Sequence, residues 1–370
     1  MSSNNSNQDP GEYSRRSDTQ HFKRRPKKHH GLLWSLLIIV LIVVTGGIAY
    51  GYHMYNTAKT TFNKTYDSGN VKKLRNVSAV LKNGKPFSIL LMGTDTGALG
   101  RHDTGRTDTM IIATVNPQKK TAYLTSIPRD TRVQIDGDSQ SYEKINAAYT
   151  IGGASTAVDT VQTLLDVPID FYAIVNMGGL EKMVNAVGGV TVTPTLTFKY
   201  GAANVTKGKK VTLNGKQALD YSRMREEDPL GDYGRQKRQR QIIQKLVIKG
   251  MGISSLTRYK TILNSLNGNL KTDMTFNDMI TIRSRYGDAT HHIKSETLQG
   301  EDAMIDGISY QIPTLTELQK ISNHIRTTLD LKKSSKLTSS STDTGDDSSY
   351  TSSTTGTTTQ GGSTNGYTGY

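Results

Sequence analysis

The apolar positions along the chain fall into three regimes. The first is Gly31 to Tyr50, a stretch with no charged residue in which Leu36 to Val44 are unbroken Leu, Ile and Val. A run of that length and character predicts a helix that spans a bilayer. The second regime, residues 86–331, alternates short apolar runs with helix-period patterns. The third begins at Leu337, where 19 of the last 34 residues are Ser or Thr and Leu337 is the only aliphatic one. Such a tail cannot bury enough surface to offset the entropy of ordering it, so 332–370 reads as disordered.

Within the middle regime, Phe87 to Met92 reads as a buried strand. Met110 to Val115 reads as a second, broken by Asn116-Pro117, and Ala122 to Ile127 as a third that pairs with the second in an antiparallel hairpin. Val158, Val161 and Leu165 share one helical face. Leu180, Met183, Val184 and Val187 share another, which stops at Gly188-Gly189, and Phe171 to Val175 reads as a strand between the two helices. Asn214 to Met224 and Tyr233 to Lys249 are further helices, the latter with Ile242, Ile243, Leu246 and Val247 on its apolar side. Beyond Gly252, the segments Leu256 to Leu266, Phe276 to Tyr286 and Leu315 to Leu331 read as helical, and Ile308 to Ile312 as extended. The expectation is an α/β fold (or α+β), a three-layer α-β-α arrangement with a mixed central sheet flanked by helices, preceded by one transmembrane helix.

The predicted organisation is a basic leader over 1–30, the membrane helix over 31–52, a stalk over 53–85 and one folded unit over 86–331. Within that unit 86–250 holds the principal motifs and 251–331 a helical C-terminal part. Lys23, Arg24, Arg25, Lys27 and Lys28 stand directly before the apolar run, and no Lys or Arg follows it until Lys59. The positive-inside rule therefore puts the N-terminus in the cytoplasm and the folded unit outside. Gly46, Gly47 and Ala49 admit a cleaved signal peptide as the competing reading, but the long basic leader favours an anchor.

Charge sharpens this picture. The chain of 370 residues carries +14, of which the leader accounts for +4, leaving +10 beyond it. Outside the cytoplasm such a surface suits lipid phosphates or an anionic glycopolymer better than nucleic acid. No helix-turn-helix is legible, and 30 cytoplasmic residues are too few for a folded DNA reader. The absence of cysteine excludes disulfides, thiolate metal sites and thiol nucleophiles. Neither a GxxxxGK[ST] loop, nor HExxH, nor Gly-x-Ser-x-Gly occurs. His291 and His292, adjacent in an extended segment, would point to opposite faces and read as surface residues.

The acidic residues and arginines are more telling. Asp95 follows the first strand and Asp108 precedes the second, so antiparallel pairing brings both carboxylates to one end of the sheet. The third strand returns there with Arg129 and Asp130, and Arg106 lies two residues before Asp108. Oxygen ligands of this kind suit magnesium; the plainer alternative is that the two Asp residues are turn caps paired with surface arginines. Arg223 and Arg225 follow one helix, while Arg235, Arg238 and Gln239 open the next. Positive charge at a helix N-terminus opposes the helix dipole unless an anion sits there, and guanidinium forks fit phosphate oxygens.

Gly93-Thr-Asp95, Arg106-Thr-Asp108-Thr109, Ser126-Ile-Pro-Arg-Asp-Thr131, Lys144-Ile-Asn146, Gly188-Gly-Val190, Gln217-Ala-Leu-Asp-Tyr-Ser-Arg223-Met-Arg225 and Gly231-Asp-Tyr-Gly-Arg-Gln-Lys-Arg-Gln239 together resemble the LytR-CpsA-Psr family of the Gram-positive cell envelope. The resemblance implies a phosphotransferase that moves wall teichoic acid, capsule or a related polysaccharide from a polyprenyl-pyrophosphate carrier to peptidoglycan, at the C6 hydroxyl of N-acetylmuramic acid, with pyrophosphatase activity as a side reaction. It further implies Asp95 and Asp108 as ligands of Mg2+ (Mn2+ being the alternative). By the same resemblance Arg106, Arg129, Arg223, Arg225, Arg235 and Gln239 bind pyrophosphate, and an apolar pocket takes the polyprenyl chain, with residues of the helices at 158–187 and 242–247 as its candidate lining. Arg106, Arg129 and Asp130 are the candidate catalytic groups. The proton acceptor stays open between Asp130, a metal-bound carboxylate and an arginine; His102 lies in the Gly-rich loop. The alternatives to an enzyme are a non-catalytic binder of polyprenyl lipid or glycopolymer and an envelope-linked transcriptional attenuator.

Overall fold

The computed structural model describes residues 30–94, 105–135, 142–251, 266 and 268–337. The chain divides into two units, Met1–Tyr52 and His53–Tyr370. The division falls within the first helix, α1 (His30–Asn63), in which the apolar run from Gly31 to Tyr50 is helical throughout. Among the described residues no helix is long and apolar enough to cross a membrane; the side chains of residues 30–43 lie outside that description.

The second unit continues with α2 (Val77–Lys82), β1 (Phe87–Thr94), β2 (Thr107–Asn116), β3 (Thr121–Ile127), β4 (Arg132–Gln134), β5 (Tyr142–Lys144), α3 (Ala148–Leu165), β6 (Phe171–Asn176) and α4 (Met177–Ala186). Four short strands follow, β7 (Val190–Val192), β8 (Phe198–Tyr200), β9 (Ala203–Val205) and β10 (Val211–Leu213), then α5 (Gly215–Arg223) and α6 (Gly231–Met251). The chain closes with β11 (Leu270–Thr272), α7 (Phe276–Tyr286), β12 (His292–Thr297), β13 (Glu301–Ile305), β14 (Ile308–Ile312) and α8 (Leu315–Thr328). The last helix stops three residues short of the expected Leu331, because Leu329 caps it and Asp330 turns left-handed at φ 57°. The helix expected from Leu256 lies outside the described residues, save for Leu266.

Six strands form the central sheet in the order β11-β6-β1-β2-β3-β12. β1 pairs antiparallel with β2 and parallel with β6, while β3 pairs antiparallel with β2 and parallel with β12, so the sheet is mixed. Side chains alternate between its faces. Leu90, Met110, Ile112 and Ile127 meet Val158, Val161 and Leu165 of α3 and Ile321 and Ile325 of α8 in one buried core. On the opposite face Ile111, Ala113 and Leu124 pack against Ile243 of α6. A second core joins Val184 of α4, Ala218 and Tyr221 of α5, Ile242 of α6 and the short strands β7 to β10. The result is a mixed α/β fold whose central sheet is flanked by helices.

Residues 53–85, expected as a stalk, are seated on this unit. Ala58 and Phe62 pack against Phe276, Leu81 joins Phe87 and Tyr286, and Arg75 holds the buried Asp170 in an ion pair. These contacts are too widely spaced along the sequence to show as a periodic apolar face.

Candidate active site

Register brings the motifs to one edge of the sheet. Gly93 stands opposite Thr109 across the β1–β2 pair, and Met110 opposite Ile127 across β2–β3, so the end of β1, the start of β2 and the end of β3 lie side by side. A Cβ at Gly93 would lie 3.1 Å from that of Thr109, a tight approach that glycine avoids. Beside this edge a cavity of about 520 Å³ opens between the sheet and the helices α4, α5 and α6, a size typical of small-molecule sites. Its body is apolar, walled by Leu91, Ala173 and Val175 of the sheet, Leu180 and Met183 of α4, and Ile242, Ile243, Leu246 and Val247 of α6. Its polar end holds Asp108, Arg223, Arg235 and Gln239.

The expected lipid lining therefore separates into two groups. Val158, Val161 and Leu165 are wholly buried in the core on the other face of the sheet, whereas Leu180, Met183 and the four residues of α6 do wall the cavity. Helical periodicity is the same in both cases, and Val184 of α4, on the cavity's side of the sheet, is buried in the second core, so neither period nor side of the sheet alone distinguishes core from lining.

The polar end is poorly satisfied. Arg235 is 8% exposed and pairs with Asp232 one turn earlier in α6, but its Nε has no hydrogen-bond partner among the described residues, and neither has the buried Oε1 of Gln239. Burial lowers the Arg235 pKa; Asp232 opposes that shift, while Arg129 and Arg225 add to it and Asp108 works against it. Buried polar groups without partners are costly, so an anion that accepts from the Arg235 guanidinium would be bound strongly, while Gln239 Oε1 calls for a donor. Arg129 Nη1 donates to Asp108 Oδ1 at 2.6 Å. Burial works against its guanidinium, but the hydrogen bond and charge of Asp108, with Asp130 and Asp232 behind them, raise its pKa overall.

The remaining expected residues lie around this end. Arg225 is exposed just beyond α5 and close enough to act on Arg235. Neither Arg129 nor Asp130 lines the cavity: Arg129 meets its wall through Asp108, and Asp130 sits behind Arg129, with Oδ2 3.6 Å from Arg129 Nε and Oδ1 2.8 Å from Lys144 Nζ. Arg106 is exposed on that same side, where it tempers the pKa that burial raises at Tyr310. Asp95 and His102 lie outside the described residues; Thr94, which precedes Asp95, lines the cavity. Among the described residues no group of three or more His, Cys, Asp or Glu side chains could hold a metal ion.

Several motif residues build the frame. Arg238, three residues from Arg235, points away from the cavity, where its Nε donates to the Tyr221 carbonyl at 3.1 Å and its Nη atoms to Asp228 and the Met224 carbonyl, tying α6 to the end of α5. Arg240 Nη1 donates to Ser126 Oγ and Thr297 Oγ1, joining α6 to β3 and β12, and burial pulls its pKa down to about 10, with Glu296 pulling it back. Gln217 completes a capping box with Asn214 at the start of α5. Lys249 Nζ donates to the carbonyl of Gly189, which, like that of Gly188, follows α4 at positive φ.

Sequence reasoning gave no role to Asp232, Lys144 or Tyr233, although each stood inside a quoted motif, and nothing in the sequence marked Gln311. In the structure Gln311 N donates to the Asp130 carbonyl at 2.9 Å and Tyr233 Oη to Gln311 Oε1 at 2.6 Å, so the β13–β14 hairpin braces the loop that carries Arg129.

The geometry agrees with comparison against known proteins. The LytR_cpsA_psr family matches the chain over residues 50–327. This chain belongs to that family. The polyisoprenyl-teichoic acid–peptidoglycan teichoic acid transferase TagU of Enterococcus faecalis is 43% identical over 295 residues, covering 80% of this chain and 95% of the relative. The crystal structure of TagU from B. subtilis superposes with a TM-score of 0.55 at 41% identity, covering 67% of this chain and 98% of that one. TagT bound to LIIa-WTA superposes at 0.58 with 29% identity, covering 67% and 92%. The LytR-CpsA-Psr match takes in α2, the whole central sheet and the cavity, and ends inside α8.

Proposed function

We propose that this chain is a phosphotransferase that moves an anionic glycopolymer, of the wall teichoic acid, capsule or related polysaccharide class, from a polyprenyl-pyrophosphate carrier to the C6 hydroxyl of N-acetylmuramic acid in peptidoglycan. The observation that carries this reading is the two-part cavity, an apolar body that ends at Asp108, Arg223, Arg235 and Gln239. A polyprenyl chain fills the body and its pyrophosphate meets the unpartnered guanidinium Nε of Arg235. The relatives named as teichoic acid transferases, and the TagT structure bound to LIIa-WTA, support the same substrate class.

In the reaction the acceptor oxygen attacks the phosphorus that bears the glycopolymer, the bond from that phosphorus to the bridging oxygen breaks, and polyprenyl monophosphate leaves. Arg223 and Arg235 on the cavity wall, with Arg129 and Arg225 next to them, would neutralise the charge that builds on the phosphoryl oxygens, and phosphoryl transfer needs little else beyond alignment. Water in place of the sugar hydroxyl gives the pyrophosphatase side reaction. Asp108, with Asp95 as its partner in the sequence, would hold Mg2+ or Mn2+. The donor chemistry fits, because Asp108 spends Oδ1 on Arg129 while Oδ2 has no partner among the described residues, and magnesium accepts few protein oxygens alongside water and substrate. The ion would supply further charge neutralisation at the pyrophosphate.

The apolar part of α1 would anchor the chain as a single span, with the basic leader in the cytoplasm and the catalytic unit outside. Protease access to residue 200 in intact cells tests that placement; protection would count against it. The function is tested by incubating the full chain, purified from membranes, with lipid-linked glycopolymer and peptidoglycan. Transfer that is lost in Asp108→Ala while co-purified lipid remains is the expected result. Lipid retention without turnover in the wild type would leave a binding protein.

A further inference from the structure

The loop that delivers Arg129 is fixed at its backbone from two sides. Asn146 N donates to the Arg129 carbonyl at 3.2 Å, Ile145 N to that of Thr131 at 2.8 Å, and Gln311 N to that of Asp130 at 2.9 Å. None of these bonds fixes the Arg129 side chain, which has several rotatable bonds between Cα and its guanidinium. One edge of that guanidinium is set by Asp108 at 2.6 Å, on the cavity wall. The other edge, Nε, is buried, has no hydrogen-bond partner among the described residues and faces Asp130 Oδ2 at 3.6 Å. Asp130 is in turn held by Lys144 Nζ at 2.8 Å, the last residue of β5. Lys144, Asp130, Arg129 and Asp108 therefore form a row of alternating charges that runs from β5 to the cavity, each between about a fifth and a third exposed. Lys144 and Asp130 do not line the cavity.

We propose that Lys144, acting through Asp130, is a positioning residue that aims the Arg129 guanidinium at the scissile phosphate. The inference rests on the phosphotransferase reading and assigns Asp130 to the same supporting task, in place of proton acceptance. With Lys144 present, one carboxylate oxygen of Asp130 is committed and the other is turned towards Nε, so Arg129 keeps its remaining nitrogen, Nη2, for substrate. Without it, Asp130 can rotate to bond Nε directly or turn out to water, and the guanidinium follows. A displacement of about 1 Å at a charge-stabilising group costs up to roughly 10²-fold in rate, while the lipid, held by the cavity and the other arginines, is bound as before.

The test compares Lys144→Met, Lys144→Arg and Asp130→Asn with the wild-type full chain, measuring kcat and KM for lipid-linked glycopolymer and the lipid that co-purifies. Lys144→Met and Asp130→Asn are expected to lose about tenfold to 10²-fold in kcat with KM and lipid content unchanged, and Lys144→Arg to recover most of the loss. In a double-mutant cycle, adding Lys144→Met to Arg129→Lys should cost little more, because both act at one guanidinium. Unchanged kcat in Lys144→Met overturns the proposal, as does full additivity in the cycle. Loss of bound lipid in Lys144→Met also overturns it, by making Lys144 a substrate ligand. If one variant fails to fold, the other two carry the same comparison. A wild-type protein that shows neither bound lipid nor transfer would instead defeat the phosphotransferase reading.

Discussion

The two faces of the central sheet do different work with similar residues. On the α3 and α8 face, Leu90, Met110 and Ile112 close against Val158, Val161, Leu165 and Ile321, all at or below 2% exposure, and no room is left. On the α4, α5 and α6 face, Leu91, Ala173 and Val175 meet Met183, Ile242 and Leu246 across a cavity of about 520 Å³. Both faces are apolar and both are covered by helices. The difference lies in what the covering helices bring with them. α6 carries Arg235 and Gln239 at one end of its cavity-facing side and Ile242, Ile243 and Leu246 further along, so the Arg235 end cannot close by apolar packing alone. The first face is closed core, and the second keeps, beside a core of its own, a cavity that is apolar along its body and polar at one end.

The sharpest way to break this comparison is to cut into the closed face. Leu165→Ala should cost about 2–5 kcal/mol in chemical denaturation, as expected for a large-to-small change in a filled core, with co-purified lipid unchanged below the melting temperature. Loss of lipid at full stability would mean that the two faces are not separable. Next in size is Arg129→Lys, behind Asp108 of the cavity wall, which keeps the charge but loses the fork. Turnover should fall by roughly 10²-fold, or about 2.7 kcal/mol in the barrier, with the denaturation midpoint unmoved. Near-normal turnover would reduce Arg129 to a diffuse charge.

A smaller effect is expected from filling the cavity. Met183→Trp adds bulk on the α4 wall and should lower co-purified lipid by about tenfold while leaving the melting temperature near the wild-type value, because open space accepts the ring that a filled core would reject. A large drop in stability instead would show that this face is as tightly packed as the other. The smallest effect is on alkaline stability. Burial pushes the phenol of Tyr221 up to about 12 and that of Tyr286 likewise to about 12, against an ordinary value of 10.0, and raises that of Tyr172 as well. Below pH 10 these phenols are neutral in both the folded and unfolded chain. As pH climbs from 10 towards 12 the unfolded chain ionises first, so stability should fall across that window. Tyr172→Phe, which removes the hydroxyl bonded to the Asp67 carbonyl, should flatten the fall, and an unchanged profile would count against it.

Much of the site was legible because strand direction is legible. Once Met110 to Val115 and Ala122 to Ile127 read as a hairpin, the ends carrying Asp108 and Arg129 had to meet, and they do, at 2.6 Å. Arginine side chains were harder to assign. Arg235 and Arg238 lie in one helix, within one motif and with the same chemistry, yet one borders the cavity with its Nε unpaired and the other is spent on Asp228 and two carbonyls. Residues three apart in a helix are neighbours only about 60° apart around its axis, so period alone does not tell which of the two borders the cavity. The residues 53–85 were harder still, because Arg75 finds Asp170, and Phe62 finds Phe276, across more than ninety positions.

The sequence by itself determined the composition of the parts: the apolar run before the folded unit, the alternation of strands and helices, the absence of thiol chemistry, and the ordered motifs that place the chain among LytR-CpsA-Psr proteins. These are local or additive properties, and period, charge and spacing carry them. The tertiary structure decided which of two identical helical faces became core and which became cavity wall, and which arginine was left to meet an anion. It also decided that Lys144 and Asp130 stand behind Arg129 instead of on the cavity wall. Those outcomes depend on which side chains meet across the sheet and between distant elements, and such meetings are fixed only when the whole chain has packed.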